Sequence, residues 1–438
     1  MFYLLVFLAF VVARYISVNE RMDLLRAVRF EFLLGLAASI CAVLRLVRQP
    51  PAIGRSRPLI LWMIGLFIVI AIQVPFAADQ YYAPMVFNDR VCKFAVLAFL
   101  ISAMVDTPKV MKAFLAAFLF SVFYITLEAT QGLISGGLYW QSQGIMRLHG
   151  AVGQYGHPNS LGGVSLGSLP FVVFLFLPIR NWLLRLGLLA VLVTSMICVI
   201  YSGSRTSYIG LLALLLWVWF QQKKKLRFAA IVLGIGLVAV PLIPQQYVGR
   251  FKSIGGKEVE GGSKIARIQI LKDAIVVFQE HPFGVGVASF PVVRYARFER
   301  SQDTHNLYLE VATNLGIQGF IVFVGFVTVM LMTFRRAAFD LRAQAVALRR
   351  AARGATLQGP LRRQAVKHLR ELDFLESTAK AGAGFIIVRL ALGAFGMDMY
   401  EIYWWFGSGL AISLSGLVVA TRKRTRYLAM TMEAGAPA

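Results

Sequence analysis

Long apolar runs separated by short polar connections recur along nearly the whole chain. About 20 mostly apolar residues in a helix cross the hydrocarbon core of a bilayer, and by that rule the runs predict about twelve helices. They are Phe2–Ser17, Phe30–Leu44, Leu59–Phe76, Val91–Val105, Ala113–Gln131, Leu161–Leu177, Leu186–Tyr201, Tyr208–Phe220, Phe228–Pro244, Leu307–Phe334, Ala381–Phe395 and Trp404–Val419. The first is followed by RYISVNER, which lacks a small-residue cleavage pattern, so it reads as a retained helix and not a signal peptide. The expected fold is an all-α polytopic membrane protein, with one larger outer loop that carries short amphipathic helices.

Composition agrees with that class. Of 438 residues, 58% are hydrophobic and 15% charged, which excludes an ordinary soluble globule. A net charge of +24 raises nucleic acid as a partner, but the basic residues sit beside the apolar runs, as in the cytoplasmic loops of membrane proteins. The charge therefore reads as topology, with membrane lipids as neighbours and no nucleic acid. Cys41, Cys92 and Cys198 lie in or beside apolar runs without paired spacing, so neither a disulfide framework nor a zinc site is indicated.

Alternating spans place RLVRQPPAIGRSR, Lys109 and Lys112, Arg180 and Arg185, KKKLR, the stretch from Arg335 to Arg370 and RKRTR on one face. The positive-inside rule makes that face cytoplasmic and puts both termini there. Arg21, Arg26 and Arg29 fall on the other face and are the exception. The organisation expected is a single integral membrane domain over 1–438, with a motif-bearing core at 132–334. Within it lies an outer loop at 244–306, the expected seat of chemistry, and a basic inner loop follows at 335–380.

Several residues on the outer face suit chemistry. In SGSRTSYIG, Arg205 stands at the mouth of two spans among small hydroxyl residues, a setting for a headgroup anchor or for an anion-binding cation. After Gly261–Gly262, the residues Ile265, Ile268, Leu271, Ile275 and Phe278 recur at helical spacing, which predicts an amphipathic helix bearing Lys264, Arg267, Lys272 and Asp273 and ending at Pro282. Gly284 and Gly286 permit a tight turn beyond it. Arg294, Arg297 and Arg300 recur every three residues, hence on one helical face, and with Arg205 and Arg267 they would make a positive outer cavity fit for a polyanionic lipid substrate. His305 closes the loop; by itself a histidine there is an interfacial residue, but its ordinary pKa lets it accept a proton at neutral pH. His149, His157, His281 and His368 are weaker candidates. No histidine pair has metal-ligand spacing, so a metal-free and cofactor-free reaction is expected.

In order, GAVGQYGHPNSLGG, SGSRTSYIG, ARIQILKDAIVVFQEHPFGVGVASF and THNLYLEVATNLGIQGF resemble the signature series of the O-antigen ligase and polymerase superfamily, over roughly Arg147 to Phe334. That family transfers a glycan from undecaprenyl diphosphate on the outer, periplasmic face of the bacterial inner membrane. The resemblance implies Arg205 and Arg267 as the grip on the diphosphate and His305 as the base for the attacking hydroxyl. Arg147, Asn159 and Asn306 stand in or beside the motifs and join Arg294, Arg297 and Arg300 as further substrate-binding candidates. The acceptor implied is lipid A–core for a ligase, or a growing polysaccharide for a repeat-unit polymerase. Two departures are His157, where the family often carries asparagine, and Leu271, where a tryptophan is frequent. A transporter or flippase is the alternative from another class; against it, no internal repeat is evident and intramembrane charge is confined to residues such as Glu128 and Arg389. Gly316 and Gly319 are expected to let helices pack closely beneath His305.

Overall fold

The computed structural model describes residues 2–142, 144–252, 263–354 and 359–434. Helix α1 (Phe2–Ile16) leads through the short α2 (Val18–Arg21) and α3 (Asp23–Ala27) into α4 (Phe30–Arg48). α5 (Arg57–Gln73), α6 (Tyr82–Val86) and a π-helical turn (Phe87–Cys92) precede α7 (Lys93–Met104) and α8 (Pro108–Ser135). An antiparallel hairpin, β1 (Tyr139–Ser142) with β2 (Ile145–Leu148), then gives way to α9 (Pro158–Leu175), α10 (Trp182–Tyr201), α11 (Arg205–Gln221) and α12 (Lys225–Ala239). The predicted outer loop holds α13 (Gln245–Lys252), α14 (Ser263–Glu280) and α15 (Phe290–Phe298). The last three helices are α16 (Leu307–Gly354), α17 (Gly359–Gly393) and α18 (Ile402–Ala434).

Each predicted apolar run overlaps one of these helices. By length and composition six of them, α4, α8, α9, α10, α16 and α18, are long and apolar enough to cross a membrane, while α1 and α5 are shorter apolar helices. The hairpin departs from the all-helical expectation. Tyr139 and Trp140 favour strands, and Gly144 supplies the positive φ of 78° that the turn needs. Trp140 then stacks on His149 with ring centroids 4.0 Å apart.

The helices are not equivalent in position. The most apolar window of α18 is 89% buried and that of α9 78%, against 17% for α4, so α9 and α18 form the centre and α4 the rim. Glycines let the central helices close up: a Cβ on Gly162 of α9 would lie 2.4 Å from Ser207 Oγ of α11. The basic segment expected as an inner loop continues α16 and α17 as helix on both sides of residues 355–358. Leu348, Ala365, Leu428 and Met432 give this extension a small core shared with the end of α18. Arg21, the exception to the charge bias, is paired with Glu128 at 2.8 Å and packs over the Tyr124 ring at 5.0 Å.

The long α16 is broken near its start. Gly316 has φ 68° and ψ −171°, which frees the carbonyls of Thr313 and Asn314 from the helical ladder. The HPFGVG segment takes them: Val285 N donates to Thr313 O at 2.9 Å and Gly286 N to Asn314 O at 3.0 Å, while Ile317 N donates to Pro282 O at 2.9 Å. Gly284 and Gly286 hold φ of 93° and 94°, and a Cβ on Gly286 would meet Ala77 Cα at 2.1 Å. The expected tight turn is thus a docking joint. Gly316 works through its backbone conformation, where helix packing was expected.

Candidate functional site

A cavity of about 860 Å³ opens where helix ends converge. It is reached by the C-terminal ends of α1 and α17, at Arg14 and Arg389, and by the N-terminal ends of α9, α11 and α18, at Asn159, Thr206 and Tyr403. α14 contributes Arg267 and Ile270, and Gln302 and His305 stand just before α16. Chain direction then fixes the location of the basic clusters. Arg180 follows α9, Lys223 and Lys224 follow α11, Arg335 to Arg353 lie at the far part of α16 and Arg422 to Arg426 at that of α18, so they stand at the opposite end of the bundle.

His305 lies in the left-handed region at φ 47°, a conformation that costs a non-glycine residue roughly 1 kcal/mol and collects at functional sites. The turn is held on both sides. Thr304 N donates to Asp303 Oδ1 at 2.6 Å, and Asn306 caps α16, its Oδ1 accepting from Tyr308 N at 2.9 Å and Leu309 N at 3.1 Å. Asn306 Nδ2 also donates to Ala394 O at 2.9 Å, tying the turn to the end of α17. Burial lowers the His305 pKa below 6.5; Asp303 opposes the shift, and Arg267 and Arg294 add to it. The ring is therefore neutral at pH 7 and free to accept a proton. Arg267 lines the same cavity, its guanidinium 6.0 Å from the centroid of Phe395.

The sequence from 189 to 324 matches the family model described as O-antigen ligase. The chain carries an O-antigen ligase domain. Its apolar helices are those of a multi-pass membrane protein, and the matched segment supports activity of the ligase or polymerase type in general terms. Curated proteins offered no match to the chain. The matched residues include Arg205, Arg267, Arg294, Arg297, Arg300, His305 and Asn306, and stop short of Arg147, Asn159 and Arg389.

Around the O-antigen ligase domain, the candidates divide by what they touch. Arg205 is the first residue of α11, capped by Ser204, whose hydroxyl accepts from Ser207 N at 3.3 Å; the next residue, Thr206, lines the cavity. Arg147 is 2% exposed and binds the two upstream motifs together, donating through Nε to Ser202 O and through Nη2 to Asn159 Oδ1, both at 2.7 Å. Asn159 lines the cavity beside His157. His157 caps α9, its Nδ1 accepting from Asn159 N at 3.1 Å, and burial followed by Arg147 and His305 lowers its pKa.

Arg294, Arg297 and Arg300 lie outside the cavity lining. Arg294 is 1% exposed, bonded through Nε to Asp273 Oδ2 at 2.9 Å and through Nη1 to Gln302 O at 2.9 Å. Arg300 reaches Asp273 at 3.4 Å and Arg297 reaches Glu280 at 3.2 Å, so all three brace the outer helices against each other. α14 presents two different faces. Ile270, Asp273, Ala274 and Val277 form its buried side, while the predicted apolar stripe of Ile268, Leu271 and Ile275 stays 44–47% exposed. The Gly261–Gly262 break lies outside the described residues, as do the side chains of Lys264 and Ile265.

Sequence reasoning passed over the floor of this cavity. Arg389, Asp398 and Tyr403 all line it. An ionisable residue within an apolar helix is by default a functional candidate, and Arg389 carried that signal. Burial pushes Asp398 up to about 6 against the opposing pull of Arg389. At the rim, Arg90 pairs with Glu401 at 2.8 Å and Lys93 with Asp89 at 2.6 Å, which leaves these cations internally balanced. Among the described residues no three His, Cys, Asp or Glu side chains gather as a metal-binding set.

Proposed function

We propose that this protein moves a saccharide from undecaprenyl diphosphate to a glycan acceptor, lipid A–core in the first instance, on the periplasmic face of the bacterial inner membrane. The observation that carries the reading is the sharing of one cavity by His305 and Arg267, at the bundle end opposite the basic clusters. The acceptor hydroxyl oxygen attacks the anomeric carbon, the bond from that carbon to the diphosphate oxygen breaks, and the hydroxyl proton passes to the His305 ring. The electron pair leaves with the diphosphate, where guanidinium groups of Arg267 and Arg205 stabilise the developing charge. Arg147, Asn159 and Asn306 hold the loops that present these groups, and Arg294, Arg297 and Arg300 hold the outer helices in place.

The test is transfer by the purified protein from a lipid-linked donor. His305→Ala is expected to lower turnover by about 10²–10⁴-fold, the usual worth of a general base. Full activity in a folded variant removes His305 from the reaction. The polymerase reading uses the same donor chemistry, so extension of lipid-linked repeats without any core acceptor replaces the ligase assignment.

A further inference from the structure

Arg389 is a large cation in a place that costs energy to keep it. It is 2% exposed near the C-terminal end of α17, yet it lines the cavity. A buried guanidinium needs hydrogen-bond acceptors and a counter-charge, or it destabilises the fold. Its described contacts, which include the Phe385 and Tyr403 rings and a distant Asp398, supply only part of both. Nη2 donates to Gly163 O at 2.8 Å, the buried Nε has no hydrogen-bond partner among the described residues, and Asp398 Oδ2 is 4.0 Å from Nη1, beyond hydrogen-bond range.

The surroundings nevertheless position this group closely. Its guanidinium carbon is 3.1 Å from the centroid of Tyr403, and α9 leaves a slot for it. A Cβ on Gly167 would stand 2.7 Å from Nη2, and one on Gly163 would stand 3.3 Å from Nη1. Two glycines on successive turns of α9 thus open the space that the guanidinium fills. A fixed cation with donors to spare, at the floor of a cavity, is a binding site for an anion with several oxygens, since Arg presents a planar fork that matches phosphate.

We infer that Arg389 is a further anion-binding residue and takes one phosphate of the lipid diphosphate, while Arg267 faces the other from α14. The inference rests on the donor chemistry proposed above. It assigns the floor of the cavity to the diphosphate and leaves the rim, where Arg90 and Lys93 are balanced by Glu401 and Asp89, to the saccharides. No bond is made or broken at Arg389; it binds and orients.

The experiment is binding of farnesyl diphosphate and farnesyl monophosphate to the purified full-length protein. The parent is expected to prefer the diphosphate. Arg389→Gln should weaken diphosphate binding by about ten- to hundredfold, the worth of charge-assisted hydrogen bonds, with a small change for the monophosphate. Arg389→Lys should recover part of the preference. Gly167→Ala, which keeps the arginine and crowds its slot, should weaken the same preference and covers the case in which Arg389→Gln fails to fold. An unchanged diphosphate-to-monophosphate ratio in folded Arg389→Gln and Gly167→Ala overturns the inference, even with donor use and transfer intact. So does a loss confined to an anionic saccharide acceptor. Failure of the parent to bind either prenyl phosphate overturns both this inference and the donor assignment.

Discussion

His305 combines a left-handed backbone with a pKa lowered by burial. Because the folded-state pKa lies below 6.5, the neutral base is the form present at pH 7. Transfer is expected to be flat with pH above neutrality and to fall as pH drops through that lowered value. A midpoint above pH 7 in the kcat/KM profile would show that another group limits the rate. Arg267 and Arg205 are the residues proposed for the other half of the reaction. Replacing either by alanine is expected to weaken use of the diphosphate donor by about tenfold or more, the scale of charge-assisted bonds, as measured by kcat/KM for donor. Unaltered donor kinetics in both would make them headgroup anchors.

Among the elements, the joint between HPFGVG and α16 docks the segment after α14 onto the helix that follows His305. Its motif glycines were legible in the sequence, but their purpose was not, because a glycine looks the same whether it serves close packing or a helix break. At Gly316 the φ of 68° requires the break, and a Cβ would meet Phe283 C at 2.3 Å. Gly316→Ala is expected to lower stability by at least about 1–2 kcal/mol, read from unfolding in detergent. The outer helices depend on a different contact. Asp273 and Arg294 are 2% and 1% exposed, so Asp273→Ala leaves a buried guanidinium without its carboxylate, and a loss of about 3–5 kcal/mol is expected in the same measurement. Equal stability of the variant would show that water or rearrangement satisfies Arg294.

For the whole molecule, chain direction separates a cavity end from a basic end, and topology follows if the basic end is inside. Single cysteines at Ser301 and at Arg363, in a background without Cys41, Cys92 and Cys198, test this with an impermeant maleimide on intact cells. Ser301→Cys is expected to react from outside and Arg363→Cys only after permeabilisation; the reverse pattern overturns the proposed orientation. The scaffold itself was legible, since every predicted apolar run overlaps a helix. The hairpin at Tyr139–Leu148 was missed because its two four-residue strands are too short to give a periodic signal beside long helices.

What the sequence determined by itself is local. Length and hydrophobicity specify which segments are helical, and the four ordered motifs mark the segments that carry His305, Arg205 and Arg267. What only the tertiary structure decided is which charges line the cavity. Arg267 and Arg294 look alike along the chain, but Asp273 stands against Arg294, while Arg267 opens onto the cavity with His305. Arg389, far downstream of the motifs, reaches the same cavity through two glycines of α9. Helix formation depends on neighbours a few residues away. The state of a buried charge depends on whatever distant side chain folding places within a few ångströms of it.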